Sequence, residues 1–371
     1  MGTLKKLGYK LNPYDKCVAN KIINKKQCTI AWHVDDAIAS HVDKRVLQEL
    51  ENQMKADFGE MDILEGSEHS VLGMNVIIDK SQKTVKIEMK DQMRKLIEKF
   101  EHDSGESVQT SVSTPSAHNL FKDRKYSEIF HSTMASLLYI MKRARPDIET
   151  GVSFLMRRVS KSTKDDWMKL KRILSFLNGT IEDERTIGAD SLTEIFTWID
   201  AAYAVHDKLR SHMGGLISLG TGVVHAKSSM KKINTKSSTE AELVGLAEYL
   251  PYNIWFLHFM RAQGYDVKNN TIYQDNKSAI LMERNGRNFC NGNSRHINVR
   301  YFWVKDKIDQ GEVKVAYLPT LLMVIDFFMK SLVGALLQKV RNYIMGWRPM
   351  SEPVVQIKDN EIKEDAESFR I

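Results

Sequence analysis

Apolar and polar positions alternate strictly in "TVKIEMK", where Val85, Ile87 and Met89 share one face, and this predicts a half-buried strand. The preceding "HSVLGMNVIID" also reads as strand. In "DKRVLQELENQMKADF", Leu47, Leu50, Met54 and Phe58 recur at helical spacing and put one apolar stripe on a charged helix. Residues 28 to 39 read as a hairpin, with the adjacent Asp35 and Asp36 between two short apolar runs. From Glu101 to Lys125 periodicity fades and Ser, Thr and Gly accumulate, which predicts a linker or extended connection. Helical patterning resumes in "FHSTMASLLYIMKRARPDIETGVSFLMRRVS", where Pro146 breaks or begins a helix. Trp167, Leu170, Ile173, Leu174 and Leu177 then line one face of a helix that Gly179 closes.

The last third alternates strands and helices. "EIFTWIDAAYA" reads as a strand, "GGLISLGTGVVHAKSS" as a hairpin, and "SSTEAELVGLAEYL" as the start of a helix that Pro251 interrupts. Ser237 and Glu240 have the spacing of a capping box there. "NTIYQDNKSAILMERN" follows as strand, acid, helix; "EVKVAYLPT" is a strand and "VIDFFMKSLVGALLQKV" a helix. Acids recur where strand meets helix, the place where open α/β sheets put their sites.

Composition narrows the class. At 371 residues the chain is long enough for two or three domains, and 42% hydrophobic content suffices for packed cores. The longest apolar run, "TLLMVIDFFM", is broken by Asp326, short of the ~20 residues of a membrane-spanning helix. The N-terminus lacks the apolar centre of a signal peptide. Cys17, Cys28 and Cys290 form no CxxC pair, so neither a disulfide framework nor a structural zinc site is supported, and a reducing, intracellular compartment is expected. A formal charge of +7 is compatible with a polyanionic partner without requiring one.

Asp200, Glu240, Asp275 and Asp326 lie among apolar or small residues rather than in charge runs. A carboxylate flanked like Asp326, by Val324, Ile325, Phe327 and Phe328, is costly to bury unless paired. A hard divalent cation such as Mg²⁺ would supply the pairing, and two such ions support phosphodiester cleavage. Spacing alone leaves the bland alternative open, in which the four are separate caps and turn acids.

The segments "DKCVAN", "AWHVDDAIASHVD", "LGMNV", "RARPDI", "LKRILSFLNGT", "WIDAAYAVHD", "KSSTEAELVG", "YQDNKSAILM", "RHINVRYFWV" and "LPT…VIDFFMKSLVGAL" occur in that order. Together they resemble the C-terminal part of a copia-type retrotransposon Pol polyprotein: the end of the reverse transcriptase, then its RNase H domain. The resemblance covers residues 4 to 347. It implies an α+β palm remnant (1–100), a helical connection and thumb-like region (101–192), an α/β RNase H-like domain with a mixed sheet flanked by helices (193–347), and an acidic disordered tail (348–371). By the same resemblance Asp35 and Asp36 are the paired palm ligands of the polymerase, with His33 where tyrosine is usual. Only 34 residues precede Asp35, and Asp15 among them matches a non-catalytic position, so the polymerase is expected to be incomplete unless a second chain or longer polyprotein supplies the rest.

For the RNase H domain the resemblance implies catalytic, metal-binding acids at Asp200, Glu240, Asp275 and Asp326, with Mg²⁺ or Mn²⁺. The implied reaction is hydrolysis of the RNA strand of an RNA–DNA hybrid. Lys236, Ser237 and Ser238 either contact phosphates or cap the helix, and capping is the preferred reading. Departures from the family pattern stand at Asn298, Ile325, Met329, Ser331 and the pair Leu321-Leu322. His296 and Arg300 beside Tyr301 and Phe302 read as structural before functional. The competing readings are a basic helical module (131–180) that binds nucleic acid without cutting it, an inert retroelement remnant, and an integrase-type strand transferase. No membrane association is expected; the expected location is the cytoplasm, including a virus-like particle, or the nucleus.

Overall fold

The computed structural model describes residues 2–109, 124–206, 209–285, 295–329, 332 and 334–354; for 124–125 and 295–301 it describes the backbone only. The core of the expected connection, residues 110 to 123, Cys290 and Ser331 lie outside that set, as do the side chains of His296, Asn298, Arg300 and Tyr301.

The chain opens with α1 (Gly2–Lys6) and a four-stranded antiparallel meander, β1 (Lys10–Leu11), β2 (Val18–Ile23), β3 (Lys26–His33) and β4 (Asp36–Ser40), backed by α2 (Lys44–Phe58). Leu4, Tyr9, Ala19, Cys28, Ile30, Val46 and Leu50 form its core. The expected hairpin is there, with His33 paired to Asp36. The helix buries Val46 and Leu50, while Phe58, which the periodicity puts on the buried stripe, is 61% exposed at the helix end.

A second sheet combines β5 (Glu68–Val71), β6 (Met74–Asp79), β7 (Thr84–Glu88), β8 (Arg185–Ala189) and the short β11 (Gly220–Thr221), in the order β11-β8-β7-β6-β5. "HSVLGMNVIID" is thus a hairpin and not one strand. Leu72 and Gly73 both have positive φ, the turn that matches strand twist in two-residue hairpins. Beside this sheet stand α3 (Lys90–Ser104), α4 (Arg124–Arg143), α5 (Glu149–Met156) and α6 (Lys164–Gly179), with a core that includes Met93, Phe100, Phe130, Leu137, Trp167 and Leu174. Pro146 opens a 3₁₀ turn between α4 and α5, and Thr163 with Asp166 makes a reciprocal capping box for α6. The break expected at residue 100 does not match the packing. β5–β7 and α3 belong with β8 and the later helices, and the change of core falls between residues 58 and 68.

The third sheet has the order β12-β10-β9-β13-β14: β9 (Glu194–His206), β10 (Arg210–Ser218) and β12 (His225–Met230) are antiparallel, and β13 (Asn269–Gln274) and β14 (Lys314–Tyr317) run parallel to β9. It is a mixed sheet. α7 (Ser238–Ala262) covers one face and packs with α8 (Lys277–Asn285) and α9 (Arg295–Asp309); a 3₁₀ segment, Val324–Phe328, and α10 (Gly334–Ile344) cover the other.

Three expectations are corrected here. Pro251 does not interrupt α7: the proline sits on the exposed side, where the carbonyl it leaves unpaired can turn to water. "VIDFFMKSLVGALLQKV" is not one helix. Val324–Phe328 is a 3₁₀ turn that buries Val324, Ile325, Phe327 and Phe328, and α10 starts afresh at Gly334 with φ 60°. Residues 348 to 354 are not a loose tail: Pro349 bridges Thr221, and Met350 is fully buried. The rest of the expected tail, 355 to 371, lies outside the described residues.

Candidate metal centre

Two strands and a helix bring carboxylates together. Asp200 stands in the middle of β9, opposite Gly214, where the strand passes from the core to its solvent end. Asp275 follows the last residue of β13, and Glu242 lies in the second turn of α7. One oxygen from each of Asp200, Glu242 and Asp275 lies within 4.8 Å of the others, and this is the one such acidic group among the described residues.

The hydrogen bonds fix the geometry. Ala201 N donates to Asp200 Oδ1 at 2.7 Å and to Glu242 Oε1 at 3.2 Å, so one backbone amide orients both acids. Thr320 Oγ1 donates to Asp275 Oδ2 at 2.7 Å, tying the loop after β14 to the acid after β13. Glu242 Oε2 is buried with no hydrogen-bonding partner. A buried carboxylate oxygen left without a donor, beside two further acids, fits a hard cation with oxygen ligands.

The electrostatics agree. Burial lifts Asp200 above the ordinary carboxylate range, and the charges of Asp275 and Asp326 add to the shift, against hydrogen bonds from Glu242 and Ala201. Burial also holds Glu242 well above its usual value, with the Asp200 charge next in importance. Acids that repel one another in a desolvated corner make a charge arrangement that a bound cation would compensate.

Of the four acids singled out in the sequence, Asp200 and Asp275 join this cluster. Asp326 lies close enough for its charge to act on Asp200, on a 3₁₀ segment rather than a helix. Glu240 does not join. Its Oε2 accepts from Lys236 N at 2.7 Å, and its own amide donates to the Ser237 side chain, so it closes the helix start as a cap. The acid that reaches the cluster is Glu242, which the sequence reading passed over. The signal was present: in "STEAEL" the capping rule accounts for the first glutamate and leaves the second, on the opposite side of the helix, without a local task. Ser237 caps, as preferred. Asp35 and Asp36 are exposed at the hairpin turn, and among the described residues no third acid joins them.

No protein-family model matches the chain. The retrovirus-related Pol polyprotein from transposon TNT 1-94 of Nicotiana tabacum is 27% identical over 320 residues, covering 82% of this chain and 23% of that polyprotein. The retrovirus-related Pol polyprotein from transposon RE2 of Arabidopsis thaliana is 25% identical over 193 residues, 52% of this chain and 13% of that one. The chain therefore spans less than a quarter of the length of these relatives. Among solved structures, the foamy viral protease–reverse transcriptase in complex with RNA/DNA hybrid covers 79% of this chain and 36% of its own, at 12% identity and TM-score 0.48. RNase H1 from the archaeon Halobacterium salinarum covers 36% of this chain and 90% of its own, at 15% identity and TM-score 0.24.

Proposed function

We propose that this chain, whose homologues are the copia-type retrovirus-related Pol polyproteins of transposons, is a divalent-metal-dependent ribonuclease H that cuts the RNA strand of RNA–DNA hybrids. The observation that carries the reading is the convergence of Asp200, Glu242 and Asp275, with the partnerless oxygen of Glu242 among them. Asp200, Glu242, Asp275 and, at its edge, Asp326 would hold Mg²⁺ or Mn²⁺. When bound, such ions supply an activated water and a counter-charge for the leaving oxygen of an in-line phosphodiester hydrolysis. The residues supply the rest. Ala201 N keeps Asp200 and Glu242 side by side, and the Thr320 hydroxyl holds Asp275 facing them. Asp200 and Glu242 must give up any proton they hold before they can ligate, so activity rises with pH through their elevated range. The products would be a 3′-hydroxyl and a 5′-phosphate.

A nucleic-acid partner fits the cationic side chains spread over aromatic faces of the helical unit. Arg143 stacks 3.6 Å from the Tyr139 ring, and Arg157, Arg158 and Lys169 surround Phe154. Recognition would rest on phosphates and hybrid shape rather than on base sequence. No role in nucleotide transfer is assigned to Asp35 and Asp36.

The test is hydrolysis of a labelled RNA–DNA hybrid by the purified chain with Mg²⁺ or Mn²⁺, beside Asp275→Asn. Cleavage in the parent, reduced at least ~100-fold in the variant, is expected from loss of one ligating charge. A folded parent that binds hybrid without cutting it would leave the nucleic-acid-binding remnant as the correct reading.

A further inference from the structure

The segment that carries Asp326 is bonded to the helical unit. Thr150 Oγ1, on α5 of the helical unit, donates to the Phe327 carbonyl at 2.6 Å. Ser228 Oγ, on β12, donates to the Phe328 carbonyl at 2.7 Å. These are the two carbonyls that follow Asp326, so the backbone of its 3₁₀ segment is pinned twice within two residues.

Ser228 is itself held. Ser228 N donates to Glu149 Oε1 at 3.0 Å, and the buried Glu149 also takes Lys142 Nζ at 2.6 Å, so α4 and α5 both bear on the pin. On its other side, His212 Nε2 lies 2.8 Å from Ser228 Oγ, and His206 Nε2 lies 2.8 Å from His212 Nδ1. The proton order follows. Ser228 has one proton and spends it on Phe328, so His212 Nε2 carries the proton on its side and faces both Ser228 Oγ and the Phe328 carbonyl. Burial, then the charges of His206 and Arg157, push His212 down to about 4, so at neutral pH its Nδ1 is a bare acceptor for His206. Rotating the serine away would unpair buried groups at both ends, which costs more than a surface hydrogen bond does.

The same segment also rests on the strand next to Ser228. Gly214 faces Asp200 across the β9–β10 ladder, and a Cβ there would stand 2.8 Å from Met329 Sδ and 3.2 Å from Ile325 Cγ1. The residues flanking Asp326 therefore rest directly on β10 beside Asp200, next to Ser228, which pairs with Gly214 across the β10–β12 ladder, while α5 reaches the segment through Thr150.

We propose that Thr150 and Ser228 are positioning residues: by binding the Phe327 and Phe328 carbonyls they set Asp326 against the Asp200–Glu242–Asp275 cluster, so that the helical unit tunes the metal affinity of the site. This rests on reading the cluster as a metal-dependent nuclease centre. Groups that orient a metal site from outside commonly change affinity or activity by 10- to 100-fold, and a bond to the ligand's backbone belongs at the lower end.

The experiment uses the full chain and compares the parent with Thr150→Val, Thr150→Ser and Ser228→Ala. Mn²⁺ affinity is read from its relaxation of water protons, and steady-state cleavage of hybrid is followed as metal is titrated. Thr150→Val keeps the shape of the side chain and removes the donor. The expected result is a rise of about tenfold in the Mn²⁺ dissociation constant and in the metal midpoint of cleavage, with KM for hybrid changed less than twofold. Thr150→Ser should behave as the parent, because the hydroxyl is restored. Unchanged Mn²⁺ affinity in Thr150→Val, or a weakening that Thr150→Ser shares, overturns the proposal whatever happens to the melting temperature. Should Thr150→Val fail to fold, Ser228→Ala decides by the same two readouts. A parent that cuts no hybrid but binds Mn²⁺ defeats the nuclease reading alone, and the Mn²⁺ constants still judge the positioning. A parent that binds no Mn²⁺ overturns both.

Discussion

Between Glu240 and Glu242 a helix turns by about 200°, so two acids written almost side by side point in nearly opposite directions. Glu240 faces the helix start and answers the Lys236 amide; Glu242 faces β9 and meets Asp200. Sequence pattern alone shows that an acid belongs here, and it locates Asp200 and Asp275 at a strand and just beyond a strand end. It does not show which of two glutamates turns inward until the cap is assigned. The consequence is measurable. Glu242→Gln should lower hybrid cleavage by at least ~100-fold, whereas Glu240→Gln should keep most of it and lose about 0.5–1 kcal/mol of stability as the cap weakens. The stability of the metal-free protein should move the other way in Glu242→Gln. Asp200 and Glu242 both have folded values raised above their unfolded ones, by burial first. Their contribution to stability is therefore present below the unfolded value near 4 and is lost as pH rises through the folded one. At pH 7 with a chelator, Glu242→Gln should melt above the parent; near pH 4 the gain should vanish. Equal melting of the two proteins at pH 7 would mean that the acids do not strain one another.

At the scale of elements, the strands and helices with a single clear period were the legible ones. β7, the β3–β4 hairpin, α6 and the strand–acid–helix run from β13 to α8 lie where alternation and caps place them. The failures have two physical sources. The stretch around Asp326 has apolar residues at i, i+1, i+3 and i+4, a spacing that a short 3₁₀ turn satisfies as well as an α-helix does, so the pattern does not tell the two apart. Pro251 is a helix breaker by its chemistry, yet a long helix with a buried face on both sides of it survives one missing bond on the solvent side. Gly214 and Gly215 show what a close approach asks of an element. On one face of β10 the Asp326 segment lies over Gly214; on the other, a Cβ at Gly215 would overlap the Tyr249 ring of α7. Met329 is flexible and can yield, whereas the fully buried Tyr249 ring cannot. Gly215→Ala should therefore cost roughly 3 kcal/mol or more in urea unfolding, and Gly214→Ala under about 1.5 kcal/mol. Similar losses in both would show that the two faces are equally tight.

Across the whole molecule, what the sequence hides is partnership at long range. β7 pairs with β8 about a hundred positions later, and β8 passes the pairing on to β11 inside the acid-bearing unit. The same junction is filled with buried charge. Arg145, fully buried, grips Asp147 with two bonds of 2.9 Å, and Arg341 from α10 adds a third at 2.9 Å. Burial pushes Asp147 up, but Arg145 and then Arg341 more than offset it and hold the carboxyl below its usual range. His225 and His212 are each pushed down to about 4, mainly by burial. All three groups make stability fall in acid, in successive windows. A histidine with a lowered folded value stays neutral in the fold while the unfolded chain takes up a proton below about 6.5, so its contribution drains away between 6.5 and about 4. Asp147, also lowered, contributes above the unfolded value near 4 and fails only as pH falls through its folded value. Asp200 and Glu242 work in the opposite sense, so the measurement belongs in Glu242→Gln, where that opposition is reduced. There, urea unfolding at pH 7, 5.5 and 4.5 should show stability falling by on the order of 2–3 kcal/mol per histidine, with His225→Gln removing about half of the slope. A flat profile above pH 4.5 would place both imidazoles in contact with water. The arginine–aspartate group is tested by Asp147→Asn, which leaves Arg145 and Arg341 without the counter-charge they share and should cost about 3–5 kcal/mol.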